Sequence, residues 1–216
     1  MSIKIFFDMD GVLVDFAGGA AAALNQVLES GDISSKKFRR LVTYEGADRE
    51  PITVDFLESI TEKKDAGIKR TQWEKRVTDA MFSIVGSGGH PYWSSLPSLP
   101  GYDQMIAVAD QLVGLANVYV CTAPVIDKTG GCESGKRAWI ESNTLVSAEN
   151  VFVTGDKGSI VSLFPGDVCV LIDDRLKYCQ AWEAGGGIAI RHIPPATLDR
   201  VNKTISQLQL IVKSHR

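Results

Sequence analysis

Five short runs in the 216-residue chain are β-branched or aromatic and almost continuously apolar: IKIFF (3–7), NVYVCT (117–122), VFVT (151–154), VCVLID (168–173) and GIAI (187–190). A strand wetted on one face alternates polar and apolar residues. A run apolar at every position needs cover on both faces, the situation of a strand in a parallel sheet. Helix-like stretches lie between the later runs, at 103–116, 135–143 and 175–185, the last ending in Gly185-Gly186-Gly187 as a helix stop. This alternation predicts an α/β fold with a doubly wound, mostly parallel sheet. The exception is the interval from about 17 to 100. It shows helical periodicity in AAAALNQVLES, VDFLESITEKK and QWEKRVTDAMFSIV, no strand, and a Gly/Pro/Ser-rich end, GSGGHPYWSSLPSLPG, that reads as a loop. The expected organisation is a core domain of residues 1–16 and 96–216 with a helical cap, residues 17–95, inserted after the first strand.

Composition narrows the partners. A net charge of −3 and a pI of about 5.6 give no broad basic surface for a nucleic acid polymer or an anionic membrane, though a small anion needs only local positive charge. No apolar run approaches the roughly 20 residues of a membrane helix, and MSIKIFFDMDG lacks a secretory layout. Cys121, Cys132, Cys169 and Cys179 lack CxxC spacing and read as reduced, mostly buried thiols, so a cytoplasmic location is expected. A homodimer is left open.

The chemistry gathers where the strands end. Asp8 and Asp10 follow the first run, Thr122 ends the second, and Asp173 and Asp174 end VCVLID. Ligands of open α/β sheets bind beyond the carboxyl ends of the strands. Such carboxylates repel one another, and an oxygen-only ligand set suits Mg²⁺, so Asp8, Asp10, Asp173 and Asp174 are the candidate metal ligands. Gly11 permits a sharp turn in which the Asp10 carbonyl faces the metal and its side chain faces a substrate. Asp15 either joins the cluster or caps the helix that follows.

DMDGV is similar to the first motif of the haloacid-dehalogenase-like (HAD) phosphohydrolases, CTAP to their second, Lys136 in ESGKRAW to their third and LIDDR to their fourth. The longer string DMDGVLVDF, with CTAP, GKRAWIES and LIDDR, resembles the 5′(3′)-deoxyribonucleotidase group, and PYWSSLPSLPG resembles that group's return to the core. The resemblance spans residues 3–16 and about 117–175; residues 40–75 match no family cap. It implies an Mg²⁺-dependent phosphatase of nucleoside monophosphates. Asp8 would be the nucleophile, Asp10 the acid and base, and Thr122 and Lys136 would hold phosphoryl oxygens, Lys136 also shielding Asp8 from the phosphate. Asp174 would bind the metal with Asp8 and the Asp10 carbonyl while Asp173 supports the site, though those two can exchange. Dehalogenases of this superfamily lack the second acid, since a halide leaves without a proton.

Phe16 matches an aromatic that stacks on the base; Tyr92 and Trp93 either extend that platform or pack in the core. Lys157, in VTGDKGS, either reaches a phosphate or is a turn lysine. Two positions depart from the group: Ala123 stands where serine is common at the phosphate, and Gly155 where an arginine is. The alternatives are hydrolysis of another small ester, such as a sugar phosphate, and a silent nucleotide-binding protein. GGCESGK (130–136) imitates a P-loop, but Arg137 replaces the metal-binding Ser or Thr, and Lys136 is expected at a helix start instead. His90, His192 and His215 are scattered and read as surface or structural histidines.

Overall fold

The computed structural model describes residues 1–125, 130–194 and 197–216. All five expected strands form: β1 (Ile3–Phe7), β2 (Val118–Thr122), β3 (Val151–Val153), β4 (Val168–Asp173) and β5 (Ile188–Arg191). They make one parallel sheet in the order β3-β2-β1-β4-β5, with Phe7 opposite Val120 on one side and Ile172 on the other. The unbroken apolar runs are explained by the two faces. Ile3, Ile5 and Phe7 point into the main core, with α6 (Tyr102–Val113), α7 (Gly131–Asn143) and α9 (Leu198–Ser214). Phe6 points the other way, into a cluster with Tyr119, Leu171 and Trp182 of α8 (Leu176–Ala184). The sheet is therefore doubly wound, as its composition requires. α9 carries Val201, Ile205, Leu208 and Val212 at helical spacing onto the core and is capped by the Thr197 hydroxyl, a helix the strand-centred reading above did not anticipate.

Between β1 and α6 the chain forms α1 (Phe16–Ser30), α2 (Lys36–Val42), α3 (Val54–Asp65), α4 (Gln72–Ser87) and α5 (Gly89–Ser94). Asp15 takes the capping alternative, accepting the Gly18 N–H at 2.7 Å. α1 to α4 close around an apolar cluster of their own, including Leu24, Leu41, Phe56, Trp73 and Val77. Val85 and Trp93 pack instead with the main core, so the end of the expected 17–95 insertion joins the sheet's packing.

Two local readings change. The stretch read as a loop from 86 contains the end of α4 and all of α5. The GGCESGK segment is neither a P-loop nor a late helix start: α7 begins at Gly131, and Lys136 lies in its second turn. The glycines serve packing. A Cβ on Gly131 would sit 2.6 Å from the His90 nitrogen, and one on Gly135 would sit 2.6 Å from both the His90 carbonyl oxygen and Trp93 Cβ. Small residues four apart let α7 press against α5, which no short-range signal reports. The four cysteines are buried thiols. Among the described residues no helix is long and apolar enough to cross a membrane.

Candidate active site

β1, β2 and β4 end side by side, and the loop after β1 is folded tightly back. The N–H of Asp8 donates to the Ile172 carbonyl at 2.8 Å, which continues the β1–β4 ladder and sets Asp8 beside Asp173. The Leu13 and Val14 amides both reach the Met9 carbonyl, and Gly11 turns with a φ of 78°. A Cβ there would lie 2.8 Å from Asp174 Oδ2, so glycine is required both by the backbone and by the acid behind it.

The four expected carboxylates are brought together with two wholly buried lysines. Lys157 Nζ lies 2.9 Å from Asp8 Oδ1 and donates to Asp173 Oδ2 at 2.6 Å, with the Tyr178 ring 4.6 Å away. Lys136 Nζ donates to Asp10 Oδ2 at 2.6 Å, Thr122 Oγ1 at 2.9 Å and the Ala123 carbonyl at 2.8 Å, over the Trp93 ring at 4.8 Å. The lysine in contact with Asp8 is therefore Lys157, whereas Lys136, expected from the resemblance to shield Asp8, is paired with Asp10. Lys157 is thus no turn lysine. The crossover decides this: β4 lies on the far side of β1 from β3, so the chain leaving β3 must pass the ends of β2 and β1, and Lys157 on it meets Asp8 and Asp173.

The Asp8 bonds gather on Oδ1, which also accepts the Met9 N–H at 2.7 Å. Both Asp173 oxygens are engaged, by Lys157 and by the Arg175 N–H at 2.8 Å. By contrast, Asp10 Oδ1 and Asp174 Oδ1 are buried without a hydrogen-bond partner among the described residues. Burial, aided by the Asp8 charge, holds the Asp10 carboxyl above its ordinary range although Lys136 opposes it. Burial and Asp8 push Asp173 up to about 6 and, with Asp173, raise Asp174 well above the usual value. Burial works against the Lys157 ammonium, but Asp8 and Asp173 outweigh it and its pKa rises.

Asp8, Asp173 and Asp174 each offer an oxygen, all within 4.8 Å of one another. Four carboxylates face two ammoniums, so full ionisation leaves two negative charges over, the charge of one divalent cation. The donor set, all oxygen with one orphaned and buried, fits a hard divalent ion.

A cavity of about 850 Å³ opens over these groups, between the sheet edge and the helical insertion. Asp8, Asp10, Gly11, Phe16, Ala123 and Asp174 line its core side; Leu57, Glu58, Thr61, Asp65 and Phe82 are among the insertion residues facing it. Thr122, Lys136 and Lys157 are fully buried beneath the acids.

The aromatic platform shrinks to Phe16. Its ring stacks on Trp93 at 5.6 Å and 9°. Trp93 itself is wholly buried, its indole N–H on the Val85 carbonyl at 3.1 Å, and neither it nor Tyr92 lines the cavity. Both are packing residues because α5 is clamped against α7. His192 is buried against Thr204 Oγ1 at 2.9 Å, and His90 meets Ser134 Oγ at 3.2 Å. Tyr178, Arg175, Asp65 and Glu58 also line the cavity and were not singled out in the sequence. Arg175 adjoins the LIDD acids, a usable signal; Asp65 and Glu58 lie in the stretch, 40–75, that matches no family cap.

No family model matches the chain, and no curated protein does. Among solved structures, the HAD-hydrolase YfnB from Bacillus subtilis, bound to magnesium, is 14% identical over 98% of each chain with a TM-score of 0.55. A HAD family hydrolase from Deinococcus radiodurans R1, with bound phosphate and sodium, is 13% identical over 99% of this chain and 96% of the other, with a TM-score of 0.48. CbbY from Rhodobacter sphaeroides, in complex with phosphate, is 16% identical over 90% and 87%, with a TM-score of 0.42. At such identities likeness speaks for architecture alone, and the architecture of this chain is similar to that of YfnB.

Proposed function

We propose that the chain is a divalent-cation-dependent phosphomonoesterase that acts on nucleoside monophosphates through an aspartyl-phosphate on Asp8. One observation carries the reading: two acids two residues apart line a single cavity, each with one carboxylate oxygen left without a donor among the described residues. Asp8 has its donors on Oδ1, which leaves Oδ2 for phosphorus. Asp10 is held toward its protonated form, with Oδ1 unpartnered. In the first step Asp8 Oδ2 attacks phosphorus, the bond from phosphorus to the ester oxygen breaks, and the Asp10 proton passes to the departing oxygen. In the second, Asp10 takes a proton from water, whose oxygen attacks the same phosphorus. The bond to Asp8 breaks and inorganic phosphate leaves.

Mg²⁺, bound by Asp8, Asp174 and the Asp10 carbonyl, would neutralise phosphoryl oxygen charge; YfnB, of similar fold, binds magnesium. Asp173, with both oxygens engaged, is the supporting acid. Lys157 holds Asp8 in place, and Lys136 orients Asp10. Residues 17–95 serve as the cap that excludes water and meets the leaving group. Phe16, backed by Trp93, is the surface on which a base would stack, and it favours a nucleotide over a sugar phosphate.

The test is inorganic phosphate release from a panel of nucleoside monophosphates, deoxynucleoside monophosphates and sugar phosphates, with Mg²⁺ and with EDTA. Release is expected only with metal, abolished by Asp8→Asn and reduced about 10²–10⁴-fold by Asp10→Asn. A folded, Mg²⁺-loaded protein that releases phosphate from no ester would overturn the reading and favour a binding role.

A further inference from the structure

Two arginines flank Asp174, and both reach across the cavity to α3. Arg175 Nε and Nη2 donate to Asp65 Oδ2 and Oδ1 at 2.6 and 2.5 Å, a bidentate pair. Arg191, at the end of β5, gives its Nε to the Asp174 carbonyl at 3.3 Å, and its Nη2 lies 3.5 Å from Glu62 Oε1. Glu62 and Asp65, three residues apart, share one face of α3. The Arg175–Asp65 pair is the sheltered one, with side chains 23% and 12% exposed against 34% and 59% for Arg191–Glu62. Bidentate geometry and shelter are what separate a consequential ion pair from an ornamental one.

A guanidinium is an odd neighbour for a carboxylate that is to receive a cation. The acid cluster has room for two positive charges beyond its lysines, and an unengaged Arg175 would fill half of it. Once Asp65 is engaged, the pair is neutral and the guanidinium is turned toward α3.

We infer that Asp65 is a positioning residue for the cation site: by holding the Arg175 guanidinium it keeps that charge off Asp174, so that cation binding and docking of α3 on the core favour each other. The inference rests on the cation reading proposed above. Reciprocity follows from linkage: if the docked pair raises the affinity for the ion, the ion stabilises the docked pair by the same factor. The cap would then close more firmly over a loaded site than over an empty one, through a contact that touches neither phosphate nor metal.

The experiment is calorimetric titration of Mg²⁺, without substrate, into EDTA-treated and dialysed protein. Wild type is compared with Asp65→Asn, Arg175→Gln and the double variant, each checked by circular dichroism for the native fold. Asp65→Asn is expected to weaken Mg²⁺ binding about fivefold or more, the lower end of a typical coupling. Arg175→Gln should bind at least as tightly as wild type, and adding Asp65→Asn to it should change nothing further. Equal affinities for wild type and Asp65→Asn would overturn the inference. So would an undiminished loss in the Arg175→Gln background, which would mean that Asp65 does not act through the guanidinium. A wild type that binds no Mg²⁺ would instead overturn the cation reading itself, and this inference with it.

Discussion

At the scale of single residues, the site is governed by which ammonium meets which carboxylate. Lys157 is wholly buried and touches two acids, Asp8 and Asp173. Removing one partner of such a pair leaves uncompensated charge in a poorly solvated place, which costs about 3–5 kcal/mol. Lys157→Met should therefore lower stability by about that amount in urea unfolding followed in EDTA. On the cation reading proposed above, the loss should shrink with Mg²⁺ present, because an ion bound there would supply charge to the same acids. Unchanged stability in EDTA would mean that the acids reside there protonated and that the ion pairs matter little. Lys136 has three oxygen partners and an indole face, so it is as fixed as a core side chain while bearing a charge. That rigidity fixes the Asp10 oxygen it holds.

At the scale of elements, the α5–α7 contact sets where Lys136 and Trp93 sit. A glycine inside a helix costs about 1 kcal/mol relative to alanine, so Gly135→Ala would stabilise α7 if propensity decided. Packing decides otherwise: the added Cβ meets a backbone oxygen and Trp93 Cβ, each at 2.6 Å, and neither can move without moving α5. Overpacking of this kind costs about 1–3 kcal/mol. The net expectation is a fall in Tm of a few degrees by calorimetry, at about 2–4 °C per kcal/mol in a chain of this size. Gly155→Ala, whose Cβ would meet nothing within 4 Å, is the control and should leave Tm nearly unchanged. A higher Tm for Gly135→Ala would show that the helix pair is looser than it stands. Trp93 links this packing to the acid cluster, since the residue that α7 traps is the one lying under Lys136.

Across the whole molecule, the cavity between insertion and core sets the pH response. Glu58 of α3 faces it, and partial burial with Asp55, Asp15 and Glu62 nearby pushes its carboxyl up from 4.5 to about 7. The folded state thus holds a proton that the unfolded chain releases. Stability contributed by Glu58 is present below pH 4.5, declines as pH rises from there through about 7, and then levels off. Glu58→Gln should raise Tm at pH 8 and leave it nearly unaltered at pH 4.5, as read by thermal unfolding at the two pH values. Equal Tm values for variant and wild type at pH 8 would mean that Glu58 is solvated like a surface acid.

The sequence alone determined the sheet, because each strand advertises burial on both faces within a few residues, and it located the acids, because they stand directly at strand ends. Asp8, Asp10, Asp173 and Asp174 are legible for that reason. Only the tertiary structure decided the partners. Lys136 lies 126 positions from Asp10, and Arg175 lies 110 from Asp65, separations at which no local pattern carries pairing information. Which lysine meets Asp8 depended on the order β3-β2-β1-β4-β5. Whether Trp93 faced a ligand or the core depended on how closely α7 could approach α5. Such contacts are chosen by packing and charge compensation together, once the sheet has brought distant segments to one edge.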